Sequence, residues 1–111
     1  MFGLKDSDIT TIRQVMAQFP EVHTALLFGS RAKDTYRNGS DVDIALKGDK
    51  MSDQIAVHLA SILNEETSLP YHFDILDYHS IDNSNLIAHI DRVGQVIYEI
   101  CPTDKPATSR T

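Results

Sequence analysis

The stretch from Leu26 to Leu46, LLFGSRAKDTYRNGSDVDIAL, constrains this chain more than any other. An apolar run stops abruptly at two small residues, Gly29-Ser30, and ten residues later comes Asp41-Val42-Asp43. A strand that ends in Gly-Ser clears the backbone for close approach of a phosphate-sized group. A strand over Ser40 to Leu46 alternates cleanly. Asp41, Asp43 and Ala45 share one face, and Val42, Ile44 and Leu46 share the other.

The rest of the chain supplies the frame around these two strands. Ile9, Ile12, Val15, Met16 and Phe19 recur at helical spacing, predicting a helix from Ser7 to Phe19, capped by Asp6 or Ser7 and closed by Pro20. Thr24 to Phe28 is the first strand. Ser30 to Gly39 reads as a short helical turn followed by a loop, with Asn38-Gly39 as its turn signal. A second helix, Ser52 to Glu65, carries the stripe Ile55, Leu59, Ile62 and Leu63. Leu69-Pro70 breaks it ahead of a strand over Tyr71 to Leu76. A last helix, Ser84 to Arg92, ends at Gly94 as a C′ residue, and Val96 to Ile100 forms a terminal strand. The order predicts an α/β (α+β) domain over residues 1–100, a small mixed sheet with helices packed on it. Residues 101–111, CPTDKPATSRT, read as a disordered tail.

Composition narrows the function classes. At 111 residues the chain has room for one core and no second substrate domain. Its net charge of −6 and its lack of any Lys/Arg run disfavour direct binding along nucleic acid. No apolar run approaches the roughly 20 residues that span a bilayer. The start, MFGLKDSD, lacks a signal-peptide h-region, and Cys101 has no intrachain partner, so a cytoplasmic setting is expected. His23, His58, His72, His79 and His89 show no zinc-binding spacing. His72 shares the strand face of Asp74; a solvated role is its expected one. Tyr36 and Arg37 fall in the loop between the motif halves.

The carboxylates carry the chemistry. Residues two apart on a strand have Cα atoms about 6.5–7 Å apart and side chains projecting together. Two like charges near 4 Å repel by about 4 kcal/mol at an effective dielectric of ~20, so such a pair protonates, spreads into water or binds cations. Tyr71-His72-Phe73-Asp74-Ile75-Leu76 sets a third acid in an apolar strand. Parity selects Asp74, not Asp77, as the partner of Asp41 and Asp43. Three carboxylates can hold two Mg²⁺ ions about 3.5–4 Å apart, one at the attacking oxygen and one at the leaving phosphate. Gly29 leaves room for a phosphate oxygen, and Ser30 offers a hydroxyl and an N–H. Arg31 and Lys33 add cationic donors, and Ser40, directly before Asp41, could either support the entry of the second strand or contact the phosphate. The constellation implies nucleotide-dependent phosphoryl transfer.

Leu27-Phe28-Gly29-Ser30-Arg31-Ala32, followed after ten residues from Gly-Ser by Asp41-Val42-Asp43-Ile44, closely resembles the nucleotidyltransferase signature of the DNA polymerase β-like superfamily. Within it the chain is similar to the minimal nucleotidyltransferases, the MntA-type antitoxins paired with a HEPN-domain toxin. The resemblance spans most of residues 7–100 and places Asp74 at the third carboxylate. It implies a polymerase β-like fold and Mg²⁺-dependent transfer of a nucleoside monophosphate, with ATP as the usual donor. The implied acceptor is a tyrosine of the HEPN toxin. Asp41, Asp43 and Asp74 would be the catalytic and metal-binding residues, and Gly29, Ser30, Arg31 and Ser40 the nucleotide-binding ones. Asp34 stands where the family often has Gly, adding negative charge beside the phosphate loop.

Two other functions compete. One is an antitoxin that neutralises its partner by stoichiometric capture alone. The other is a small-molecule nucleotidyltransferase, which would need a further domain to grip its acceptor. So short a chain implies that a partner or a second copy completes the active-site wall, as a hetero-oligomer or a homodimer.

Overall fold

In the computed structural model, which describes residues 4–29, 41–67 and 69–100, the period-two stretches form a sheet and the helical stretches cover it. In chain order the elements are α1 (Asp6–Met16), β1 (Thr24–Phe28), β2 (Val42–Lys47) and α2 (Asp53–Ser61), which runs on into a π-helical turn (Ile62–Glu66). Then come β3 (Phe73–Asp77), a 3-10 turn (Tyr78–Ser80), α3 (Ser84–Val93) and β4 (Gln95–Glu99). The sheet order is β3-β2-β1-β4. Strand β1 is antiparallel to β2 and β4, and β2 is parallel to β3, so the sheet is mixed, as the sequence implies. A parallel pair cannot be closed by a hairpin, and α2 is the crossover that returns the chain.

Parity assigns the two faces. Ala25, Leu27, Val42, Ile44, Leu46, Phe73 and Ile75 point to α1 and α2, where they meet Ile12, Met16, Leu59 and Leu63. Leu26, Phe28 and Ala45 point the other way, to Ile90 of α3. Among the described residues one face is thus covered by two helices and the other by one.

Side chains tie both outer strands. On β4, Arg13 Nε donates to the Ile97 carbonyl at 2.6 Å. On β3, Asn64 Nδ2 donates to the Phe73 carbonyl at 3.1 Å while its Oδ1 accepts the Phe73 N–H at 2.8 Å. Unpaired edge groups are templates for a further strand, and these contacts remove some of them.

Several local expectations change. Neither Asp6 nor Ser7 caps α1. The N-cap residue is Lys5, whose N–H is accepted by Asp8 Oδ2 at 3.1 Å. Asp8 also accepts from the Tyr71 hydroxyl at 2.8 Å, and this pairing lets its carboxylate lie buried. The helix ends at Met16 rather than Phe19, because Gln18 and Phe19 bond back only three residues and tighten the chain before Pro20. Along α2 and the π turn the buried stripe is Ala56, Leu59 and Leu63, with Ile55 and Ile62 only half-buried.

Strand bounds also move. Strand β2 begins at Val42 rather than Ser40, β3 begins at Phe73 rather than Tyr71, and β4 begins one residue earlier than expected. Gly94 is not left-handed; its φ is −60° and ψ 137°. A Cβ there would press on the Ile90 carbonyl and stand 3.5 Å from Leu26 Cβ, so close packing calls for glycine. The expected turn over 30–39 and the tail over 101–111 lie outside the described residues. No helix among the described residues is long and apolar enough to cross a membrane.

Leu27 lies on central β1 with no exposure. Leu27→Ala is expected to cost about 2–5 kcal/mol by loss of burial and creation of a cavity. The check is a lower urea midpoint at unchanged slope.

Candidate active site

The site forms where β1 leaves the sheet and β2 and β3 enter it. Phe28 is paired with Asp43 across the antiparallel β1–β2 ladder, and Asp43 with Asp74 across the parallel β2–β3 ladder. Adjacent strands lie about 4.8 Å apart. Asp43 and Asp74 therefore stand side by side, on the face where Ala45 and Leu76, two residues further along each strand, pack near α3. Asp41 is exposed and precedes β2 by one residue. The Val42 N–H donates to the His72 carbonyl at 2.9 Å and fixes the strand start beside it. Asp77 lies on the opposite face, 4% exposed, where its carboxylate accepts from the His79 N–H and the Ser80 hydroxyl at 3.1 and 2.8 Å.

Asp43 is the strained member. Its pKa is raised from 3.8 to about 6, first by burial, then by the charges of Asp74 and Asp41, with His72 opposing. The proximity of all three carboxylates is thus felt at one oxygen pair. Next to it the chain turns at Gly29, whose φ is +78°, a conformation that L side chains rarely adopt. A Cβ at Gly29 would also collide with Asp43 Oδ2. Glycine here is required twice, by backbone conformation and by the carboxylate packed against it.

His89, which spacing alone leaves without a role, reaches the same turn. Its Nε2 accepts the Gly29 N–H at 3.3 Å, and its ring meets Phe28 edge-on at 6.2 Å between centroids. The sequence does hold one hint of this. His89 falls within the Leu86–Ile90–Val93 stripe of α3, where a polar residue is out of place unless it has a partner. Ser30, Arg31 and Ser40 lie outside the described residues, as do Lys33, Asp34, Tyr36 and Arg37.

Among the described residues no group of three His, Cys, Asp or Glu is gathered into a ready-made metal cage. Mg²⁺ does not need one, since it commonly takes one or two carboxylates and fills its remaining positions with phosphate and water. Asp41, Asp43 and Asp74 offer only hard oxygen donors, and a divalent cation would relieve the charge pressure on Asp43. The donor set fits the ion.

The comparisons with known proteins agree with this geometry. The family described as polymerase beta, nucleotidyltransferase matches residues 10–102. The chain belongs to that family. A curated relative, the probable protein adenylyltransferase MntA of Haemophilus influenzae, is 27% identical over 75 residues, 68% of this chain and 66% of that protein. The chain therefore spans just under two thirds of that relative's length. In structure the nucleotidyltransferase is similar to a chain of a toxin–antitoxin crystal structure with AMP-PNP. The TM-score is 0.70 at 22% identity, covering 88% of this chain and 78% of that one. It is also similar to a chain in the complex of a tri-AMPylated Shewanella oneidensis HEPN toxin with an MNT antitoxin. There the TM-score is 0.62 at 20% identity, covering 87% and 74%. At these identities the structural likeness establishes the polymerase β-like fold.

Two predictions follow from Asp43 and its neighbours. Between pH 3.8 and about 6 the folded protein holds a proton on Asp43 that the unfolded chain has released. The contribution of Asp43 to stability therefore falls as pH rises through that window, and its charged form is unfavourable above it. In metal-free protein, Asp43→Asn should melt higher than wild type at pH 7.5, with the difference shrinking towards pH 4; thermal scans in chelator measure it. Gly29→Ala should lower the melting temperature and weaken nucleotide binding together, as calorimetry on the folded fraction would show.

Proposed function

We propose that this nucleotidyltransferase is a Mg²⁺-dependent protein adenylyltransferase acting as an antitoxin, moving AMP from ATP to a tyrosine hydroxyl of a HEPN-domain toxin. The observation that carries the reading is Asp43 aligned with Asp74 on one sheet face, with the left-handed Gly29 turn packed against Asp43. The relatives support it: one bears the name of a protein adenylyltransferase, and one similar structure contains an AMPylated HEPN toxin.

In this reading Asp41, Asp43 and Asp74 hold the metal, as two ions, which would offset phosphate charge and favour displacement at the α-phosphorus. Gly29 opens the backbone to the triphosphate, and Ser30, Arg31 and Ser40 donate to its oxygens. The tyrosine oxygen bonds to the α-phosphorus as the α–β bridging bond breaks and pyrophosphate leaves. The hydroxyl proton passes to the Asp74 carboxylate, which lies exposed beside Asp43. The partner toxin brings the acceptor to the carboxylate end of the α3 face and completes the site.

Incubation of the chain with its cognate toxin, Mg²⁺ and [α-³²P]ATP should label the toxin, and Asp41→Asn or Asp43→Asn should reduce the label to background. Absence of label with wild type would overturn the reading. If the double Asn variant still neutralised the toxin at one-to-one ratio, neutralisation would be by capture rather than by chemistry.

A further inference from the structure

We propose that Asn64 is a positioning residue for Asp74, acting through the backbone of Phe73; the proposal rests on the reading of Asp74 as a metal-side carboxylate. Strand β3 is outermost in the sheet, so only one of its flanks is held by a neighbouring strand. The His72 carbonyl bonds inward to Val42, and with the parallel register this turns the backbone groups of His72, Asp74 and Leu76 towards β2. Those of Phe73, Ile75 and Asp77 face outward. At Phe73 the outward N–H and carbonyl are both taken by one side-chain amide, that of Asn64, at 2.8 and 3.1 Å. An amide carries one acceptor and a donor group in the geometry of a peptide, so Asn64 does here what a further strand would do.

The local helix makes this contact possible. Asn64 sits in the π-helical turn Ile62–Glu66 that ends the crossover, next to Leu63, which is fully buried. The wider turn keeps Leu63 in the core while presenting Asn64 to the edge of β3, and Thr67 Oγ1 steadies the turn by donating to the Leu63 carbonyl at 2.7 Å. Such turns inside helices are frequent at functional sites. On the other side, the Phe73 ring is 1% exposed in the core. Phe73 is thus held by its ring and by both outward backbone groups, and the next residue is Asp74. Among the described residues no hydrogen bond holds the Asp74 carboxylate itself, so its place beside Asp43 comes from the backbone on which it stands.

The test is Mn²⁺ binding by the full chain, followed by electron paramagnetic resonance with and without AMP-PNP, beside melting temperature and amide exchange at Phe73. Wild type should bind Mn²⁺, and Asp74→Asn should bind it weakly. Asn64→Ala places a strong helix former in the turn, so the helix is not weakened. It should lose about tenfold in Mn²⁺ affinity, the low end for a residue one step behind a ligand, and its Phe73 amide should exchange faster. Thr67→Val, which loosens the same turn without touching β3, should melt lower yet keep wild-type affinity. Asn64→Ser, too short to bridge both groups, serves if the alanine variant is unfolded. Affinity within twofold of wild type in Asn64→Ala, with Asp74→Asn impaired, overturns the role of Asn64. Wild-type affinity in Asp74→Asn, or no Mn²⁺ binding by wild type, overturns instead the metal-side reading of Asp74 beneath it.

Discussion

The alignment of Asp43 with Asp74 across a parallel ladder is the constraint around which this molecule is arranged. Side by side, the two acids are unfavourable as a charged pair: burial, then the charge of Asp74, raises the pKa of Asp43 to about 6. The same register supplies what opposes them. On the reverse face of those strands Val42, Ile44, Leu46, Phe73 and Ile75 are all buried. Each such side chain contributes about 1.5–3 kcal/mol. A slip of β3 by one residue would relieve the acids but turn Phe73 and Ile75 to the wrong face. Apolar burial holds the register, and the acids bear the cost.

The unequal cover of the sheet follows from the same division. Among the described residues the apolar face is covered by two helices and the charged face by one, α3. Tyr78 donates its hydroxyl to Asp91 at 2.7 Å, and Lys47 Nζ lies 4.4 Å from the centre of the Tyr78 ring. These contacts fasten α3 towards the far end of β2, while His89 reaches back to Gly29. Among the described residues α3 is thereby tied to the sheet at both ends of β2, through Tyr78 and Lys47 at one and through Gly29 at the other.

Strand parity was the most legible signal in the chain. The alternation through Val42-Asp43-Ile44 and Phe73-Asp74-Ile75 states which residues share a face, and no tertiary contact reverses it. The mixed sheet was legible from the order of helices and strands instead. Helix ends were less so. Asp8 caps α1 by reaching back, and nothing in Lys-Asp-Ser-Asp distinguishes that from a cap by Asp6 or Ser7. The left-handed Gly29 agrees with a strand stopped by Gly-Ser, but its need for space comes from Asp43, which arrives by pairing. Asn64 lay beyond reach altogether, because its partner is nine residues away across a chain reversal and the π turn leaves no mark in composition.

The side-chain ties at the two sheet edges bear on how a second protein would approach. A strand adding at β3 would have to displace both bonds of Asn64 to Phe73, and one adding at β4 would have to displace Arg13 from Ile97. Each displacement forfeits contacts the incoming strand must replace before it gains any. On the α3 face at the strand starts, the exposed groups among the described residues include Asp41 and Asp74. A partner bringing an acceptor hydroxyl, as proposed, would therefore meet less resistance at the carboxylate end than at either sheet edge. On that proposal the tied edges would steer association away from the sheet margins and towards Asp41, Asp43 and Asp74.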